Sequence, residues 1–183
     1  MDLGLTDRVF LVTAASAGLG RASAEQLVAE GARVVLVARR ADVLDDVVAD
    51  LGSANAIALA ADLADPDTAA AAAQLAIRTF GRLDGALISV GGPPPGSVLA
   101  NSDEQWLATF ESVFLAALRA VRAVLAAASG PASIGVVLST SAKVPIPGLA
   151  ISNGLRPGLA MLIKQLADEV GPDGHRVFGL MPG

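Results

Sequence analysis

The feature that most constrains this chain is one passage near its start. Val9-Phe10-Leu11-Val12 runs through Thr13-Ala14-Ala15-Ser16-Ala17-Gly18-Leu19-Gly20 into a helical pattern. The apolar run predicts a strand over about Arg8 to Thr13. Ala24, Leu27 and Val28 recur at helical spacing and predict a helix over about Gly18 to Glu30. A strand that turns into a helix over small residues leaves free N–H groups and a positive dipole end at the helix start. A pyrophosphate can approach such a backbone closely, and the arrangement opens a dinucleotide-binding unit. Taken alone, the turn also fits a tight connection that holds no ligand.

The rest of the chain repeats the alternation. Arg33 to Ala38 is a continuous apolar run with β-branched residues, as in a strand buried on both faces. Arg39-Arg40 follow, and Val43, Leu44, Val47, Val48 and Leu51 mark one face of a helix ended by Gly52. A third strand is predicted over about Ala56 to Ala60, stopping at Asp62-Leu63. Asp65 is placed to cap the next helix, with Pro66 at its first position and the run Ala69 to Ala73 carrying it to near Phe80-Gly81. Ala86-Leu87-Ile88 forms a short fourth strand, broken by Gly91-Gly92-Pro93-Pro94-Pro95-Gly96.

Ser102 and Gln105 have the spacing of a capping box, and a long helix follows to about Ala128. Its apolar positions, Phe110, Val113, Phe114, Ala117, Val121, Val124 and Leu125 among them, cover more than one face. Such a helix packs on the sheet and on another subunit as well. Ile134 to Leu138 is the fifth strand, Ser139 to Ala150 a loop with Pro145 and Pro147, and a helix continues to Val170. Arg176 to Leu180 is the sixth strand.

This pattern predicts one doubly wound α/β domain over residues 1–183: a Rossmann-type parallel sheet of strand order 3-2-1-4-5-6 in three αβα layers. Ligands in such folds sit at the carboxyl ends of the strands. The glycine turn, Arg39, Asp62, Gly91-Gly92, Ser139 and Pro182-Gly183 all follow strand ends and so fall on one edge. Many dinucleotide folds carry an acid on the ribose 2′-hydroxyl after the second strand. Here that position is Ala38, followed by Arg39 and Arg40. Their planar guanidinium forks suit a 2′-phosphate, which favours NADP(H) over NAD(H). The alternative is a pair of solvated arginines.

Composition narrows the partners. Hydrophobic residues make up 53% and charged residues only 17%, so the chain is globular with surface to cover. The net charge of −5 and the lack of a basic stripe speak against nucleic acid and anionic membrane. With no cysteine there is no disulfide, zinc–thiolate site or thiol nucleophile, and no metal site is expected. The one histidine, His175, follows Gly171-Pro172-Asp173-Gly174 and is expected to be a solvated loop residue. Met1 leads directly into the first strand and no segment has signal-peptide flanks or spans a bilayer, so a cytoplasmic protein is expected.

Over its whole length the chain resembles the short-chain dehydrogenase/reductase family, especially its bacterial 3-oxoacyl-(acyl-carrier-protein) reductase-like members. That family's turn is Thr-Gly-x-x-x-Gly-x-Gly; here Ala14 replaces the first glycine. Its aspartate after the third strand matches Asp62, its Asn-Asn-Ala-Gly falls on Ser89-Val90-Gly91-Gly92, and its Pro-Gly matches Pro182-Gly183. The resemblance implies cofactor contacts from Thr13, Ala14, Ser16, Ala17, Gly18 and Leu19 in the turn. It implies others from Arg39, Arg40, Asp62, Leu63, Val90, Gly91, Gly92, Pro182 and Gly183. It further implies a small-molecule or acyl-chain carbonyl substrate, and a homodimer or homotetramer joined through the helix Ser102–Ala128. Family members continue past Pro-Gly into a substrate-covering segment and a last strand, which this chain is expected to lack.

The departures fall on the catalytic group. The family's serine matches Ser139. Its tyrosine, thirteen residues on, falls on Ser152, and its lysine, four further, on Arg156. Its helix asparagine falls on Val113, and the chain has no tyrosine at all. A phenol near pKa ~10, lowered by a lysine, can exchange a proton with a substrate oxygen; a serine hydroxyl is a far weaker acid. The resemblance therefore implies an NADP(H)-dependent oxidoreductase with an atypical Ser139, Ser152 and Arg156 site. Ser139 would position the substrate oxygen, and Ser152 with Arg156 would replace the tyrosine and lysine. The alternative is a catalytically silent NADP-binding sensor or structural subunit. Pro157 predicts either a helix that starts late, near Gly154 to Arg156, or one kinked beside the site. Ser152 and Asn153 would in that case be N-terminal capping residues.

Overall fold

The computed structural model describes residues 3–182; Met1, Asp2 and Gly183 lie outside the described residues. Six parallel strands form one sheet in the order β3-β2-β1-β4-β5-β6. They are β1 Val9–Thr13, β2 Arg33–Ala38, β3 Ala56–Ala60, β4 Gly85–Ile88, β5 Ser133–Val137 and β6 Arg176–Leu180. The central strands β1 and β2 are almost wholly buried, as continuous apolar runs in a covered sheet must be.

Helices cover both faces. Helices α1 (Gly18–Ala29) and α2 (Ala41–Leu51) enclose one core, built around Val12, Leu36, Leu44 and Val47. Helix α3 (Thr68–Phe80), helix α5 (Ala116–Ala127) and helix α6 (Ala150–Val170) enclose the other, around Leu11, Ile88, Val121 and Ile134. At the amino ends of the strands, Asp84 is 7% exposed and accepts hydrogen bonds from Arg8, Arg82 and the Val9 N–H.

Four local expectations change. Helix α3 begins at Thr68, not beside Asp65. The Asp65 carboxylate accepts the Asp67 N–H and the Asp65 carbonyl accepts the Thr68 N–H, so this aspartate closes a turn ahead of the helix. The long helix opens with α4 (Asp103–Thr109), whose Ser102–Gln105 capping box is present in both directions. It then widens into a π-helical turn over Phe110–Leu115 before α5. Along it Val113, Ala117, Val121 and Val124 are buried, whereas Leu107 is 70% and Phe110 39% exposed.

Helix α6, the third case, starts at Ala150 and runs through Pro157 without interruption. Its first turns are held from outside: Asn153 both donates to the Ile146 carbonyl and accepts the Ile146 N–H. Trp106 packs against Gly154, where a Cβ would lie 2.7 Å from the indole ring. These contacts fix the segment in helical geometry although Pro157 lacks an N–H. His175 is half-buried, and its Nδ1 accepts the Ala132 N–H at 3.0 Å, so it joins the entries to β5 and β6 instead of standing in solvent.

Candidate functional site

Two clefts open at the carboxyl ends of the strands. The turn between β1 and α1 is anchored by Thr13, whose buried hydroxyl donates to the Ser89 carbonyl at 2.6 Å and accepts the Ser89 N–H at 2.8 Å. That pair joins the end of β1 to the end of β4. Ala14 takes a left-handed φ of +51°, a conformation that costs a side-chain-bearing residue about 1–2 kcal/mol and a glycine almost nothing. Gly20 has no such freedom to gain; a Cβ there would sit 2.5 Å from the Ala14 carbonyl oxygen. Only a glycine lets the first turn of α1 close against β1. Ala17 and Gly18 are exposed at the helix start, and no side chain caps it. Its first N–H groups are therefore available to an anion.

A cleft of about 440 Å³ lies beside this turn. Ala14 and Ser16 line it from the turn, and Arg39 and Arg40 from the end of β2. Arg40 Nη2 donates to Ser16 Oγ at 3.1 Å, and both residues reach solvent. Asp62 and Leu63 line it after β3, and Val90, Gly91 and Gly92 after β4. Several lining residues were not among the predicted cofactor contacts: Val37, Ala38, Ala61 and Ser89 flank residues that were, whereas Ser112 comes from a separate element. It stands on the π-helical turn, one position before Val113, and nothing in the sequence marks the widened turn that exposes it. Leu19 and Pro182 lie elsewhere, in a second opening of about 330 Å³ between α1 and the ends of β5 and β6. Gly183 falls outside the described residues.

A second group lies after β5. Ser139 Oγ accepts the Ser141 N–H at 3.1 Å. Ser141 and Ser152, both nearly inaccessible, share a hydroxyl–hydroxyl hydrogen bond of 2.9 Å. Arg156 is 5% exposed and donates from Nη1 to the Val137 carbonyl at 2.7 Å, while its Nε has no partner. Burial pushes this guanidinium below its ordinary pKa. The loop after β4 closes over the neighbourhood: Gly96 donates to the Gly148 carbonyl and accepts from the Ala150 N–H. Ser139, Ser152 and Arg156 are thus gathered at one strand end, with Ser152 and Arg156 held inward by protein partners. Val113, where the family has asparagine, is buried apolar core.

The model of the family described as "short chain dehydrogenase" matches residues 8–183. This chain belongs to that family. This chain is 31% identical to the L-sorbose reductase of Gluconobacter frateurii, whose structure holds NADPH and L-sorbose. The two superpose with a TM-score of 0.94 over 100% of this chain and 72% of the other. It is 28% identical to a 3-ketoacyl-(acyl-carrier-protein) reductase of Brucella melitensis complexed with NADH, with a TM-score of 0.90 over 97% and 76% of the two chains. It is 32% identical over 187 residues to the cis-2,3-dihydrobiphenyl-2,3-diol dehydrogenase of Rhodococcus globerulus, covering 98% of this chain and 65% of that protein. The chain therefore spans about two thirds to three quarters of the length of these relatives. Among the described residues, no helix is long and apolar enough to cross a membrane.

Proposed function

We propose that this short-chain dehydrogenase binds NADP(H), in preference to NAD(H), and works as an oxidoreductase on a carbonyl or alcohol of a small or acyl-chain substrate, 3-oxoacyl compounds included. The observation that carries the reading is the cleft beside the β1–α1 turn, where Ser16, Arg39 and Arg40 converge with Asp62 and Gly91. The residues fit the nucleotide. Gly20 gives the close approach of α1 to β1, and the uncapped helix start gives N–H groups for a pyrophosphate. Arg39 and Arg40 present forks for a 2′-phosphate, and Asp62 would accept from the adenosine moiety. Ala14, Leu63, Val90 and Gly92 would complete the wall of the cleft, Ala17 and Gly18 would face the phosphates, Thr13 would hold the turn from within, and Leu19 with Pro182 would meet the cofactor only where it extends into the second opening. The cofactor supplies or accepts hydride.

For the chain's own chemistry, Ser139 is the hydroxyl best suited to hold a substrate oxygen. Its Oγ accepts from a backbone N–H, which leaves its proton to donate. Ser152 is engaged with Ser141, and Arg156 hardly deprotonates. Arg156 would act by its positive charge, fixing the end of β5 and stabilising negative charge that develops nearby.

The inward pairing of Ser152 and Arg156 favours a second reading. With Ser152 paired inward and Arg156 bound to Val137, the chain would bind NADP(H) as a sensor or structural subunit and catalyse nothing. NADPH fluorescence enhancement followed by turnover on a panel of ketones and acyl thioesters separates the two. Binding with turnover supports the oxidoreductase; binding without turnover on any substrate supports the silent subunit; no binding overturns both.

A further inference from the structure

The turn after β3 carries Asp62 and Leu63 into the cleft. Its start is fixed by the Ala61 N–H donating to the Ala38 carbonyl of β2. Its middle is closed locally, with the Asp62 carboxylate accepting the Ala64 N–H at 3.0 Å. Leu63 packs on the core, and among the described residues one side chain hydrogen-bonds to this turn from outside it. Arg119, on α5, donates from Nη1 to the Ala64 carbonyl at 3.1 Å. The same nitrogen donates to the Glu111 carboxylate. Glu111 stands on the π-helical turn beside Ser112, which also lines the cleft.

We infer that Arg119 is a positioning residue for the adenosine half of a dinucleotide. Its guanidinium ties the Asp62–Ala64 turn to the π-helical turn that carries Ser112, so the two segments that bring these residues to the cleft keep one separation. Glu111 aims the guanidinium: the pair is half-exposed and adds little by attraction alone, but it limits the rotamers of a flexible side chain. Without the clamp the turn keeps its local bonds, its tie to β2 and the packing of Leu63, and binding must order the rest. The widened turn has a role here. The Ala116 N–H reaches back to the Glu111 carbonyl, a five-residue step that resets the helix register between Glu111 and Arg119. Neither residue itself lines the cleft, so the effect passes through Ala64 and Ser112.

This inference rests on the nucleotide reading above, and its test separates the two. NADPH and 2′,5′-ADP are titrated into the parent, Arg119→Gln, Arg119→Lys and Glu111→Gln, with a thermal melt of each. Arg119→Gln is expected to weaken both ligands alike, by about tenfold, as loss of a charge-assisted hydrogen bond does. Arg119→Lys recovers part of the affinity because a cation still reaches Ala64. Glu111→Gln weakens both ligands by a smaller factor, and it carries the test if Arg119→Gln does not fold. Unchanged affinity in Arg119→Gln, or in Glu111→Gln where that variant carries the test, overturns the inference and leaves the nucleotide reading intact. A loss confined to NADPH does the same, since it places the effect away from the adenosine half. If the parent binds neither ligand, the nucleotide reading itself falls and the inference with it.

Discussion

The hydroxyl of Ser152 lies 2.9 Å from that of Ser141, and the pair is almost fully buried. A side chain held this way is committed to the protein interior. Ser152→Ala leaves Ser141 without its partner, at a cost of about 1–2 kcal/mol of stability. Urea unfolding is expected to show that loss, while NADPH binding and any turnover stay near the parent's. Turnover abolished with binding intact would make Ser152 the proton donor after all.

Ala14 occupies a left-handed backbone position that glycine adopts freely. Ala14→Gly is expected to relieve about 1 kcal/mol of strain. In a domain of this size that raises the melting temperature by about 2–4 °C. Differential scanning calorimetry reads the shift; a lower melting temperature would show that the turn is not strained.

Asp84 ties the amino ends of β1 and β4 together. Burial alone pushes its carboxyl up, but hydrogen bonds from Arg82, the Val9 N–H and Arg8 outweigh it and hold the carboxyl below its ordinary value. The folded-state value therefore lies under the unfolded one, near ~3.9. The stabilisation is complete above the unfolded value and is lost as pH falls through the folded one. Asp84→Asn should cost about 1–2 kcal/mol at neutral pH, with a smaller difference from the parent in strong acid. Stability measured against pH for both chains checks the sign; a constant difference down to pH 2 would contradict it.

Much of the fold was legible because its signals are local. Ser102 and Gln105 announce a capping box by spacing alone, and Arg33 to Ala38 announces a covered strand by composition. The cleft was legible for a topological reason: parallel strands bring Ser16, Arg39, Asp62 and Gly91 to one edge whatever their packing. Local signals failed where a side chain had two possible uses. Asp65 closes a turn instead of capping a helix, and Asn153 holds Ile146 where a proline nearby had pointed to a helix boundary. The π-helical turn has no compositional mark, so Ser112 and the Glu111–Arg119 clamp could not be read. That Arg156 donates to Val137 depends on how α6 seats against β5, which no spacing encodes.

Leu107 and Phe110 leave apolar surface exposed at the start of the long helix. An assembly of two or four copies through this helix would cover it. Light scattering at micromolar concentration is expected to give a dimer or tetramer, and Leu107→Lys with Phe110→Lys to shift it toward monomer. A monomeric parent would contradict the assembly.

Arg39 lines the cleft from the end of β2, next to Ala38, the position where many dinucleotide folds carry an acid. Calorimetric titration of NADPH and NADH into the parent and Arg39→Ala tests the central claim most directly. The parent is expected to bind NADPH the more tightly. Arg39→Ala should lose about tenfold or more toward NADPH, the scale of a charge-assisted phosphate contact, and little toward NADH. Equal affinity of the parent for the two cofactors, or an Arg39→Ala chain that binds NADPH as the parent does, would contradict it.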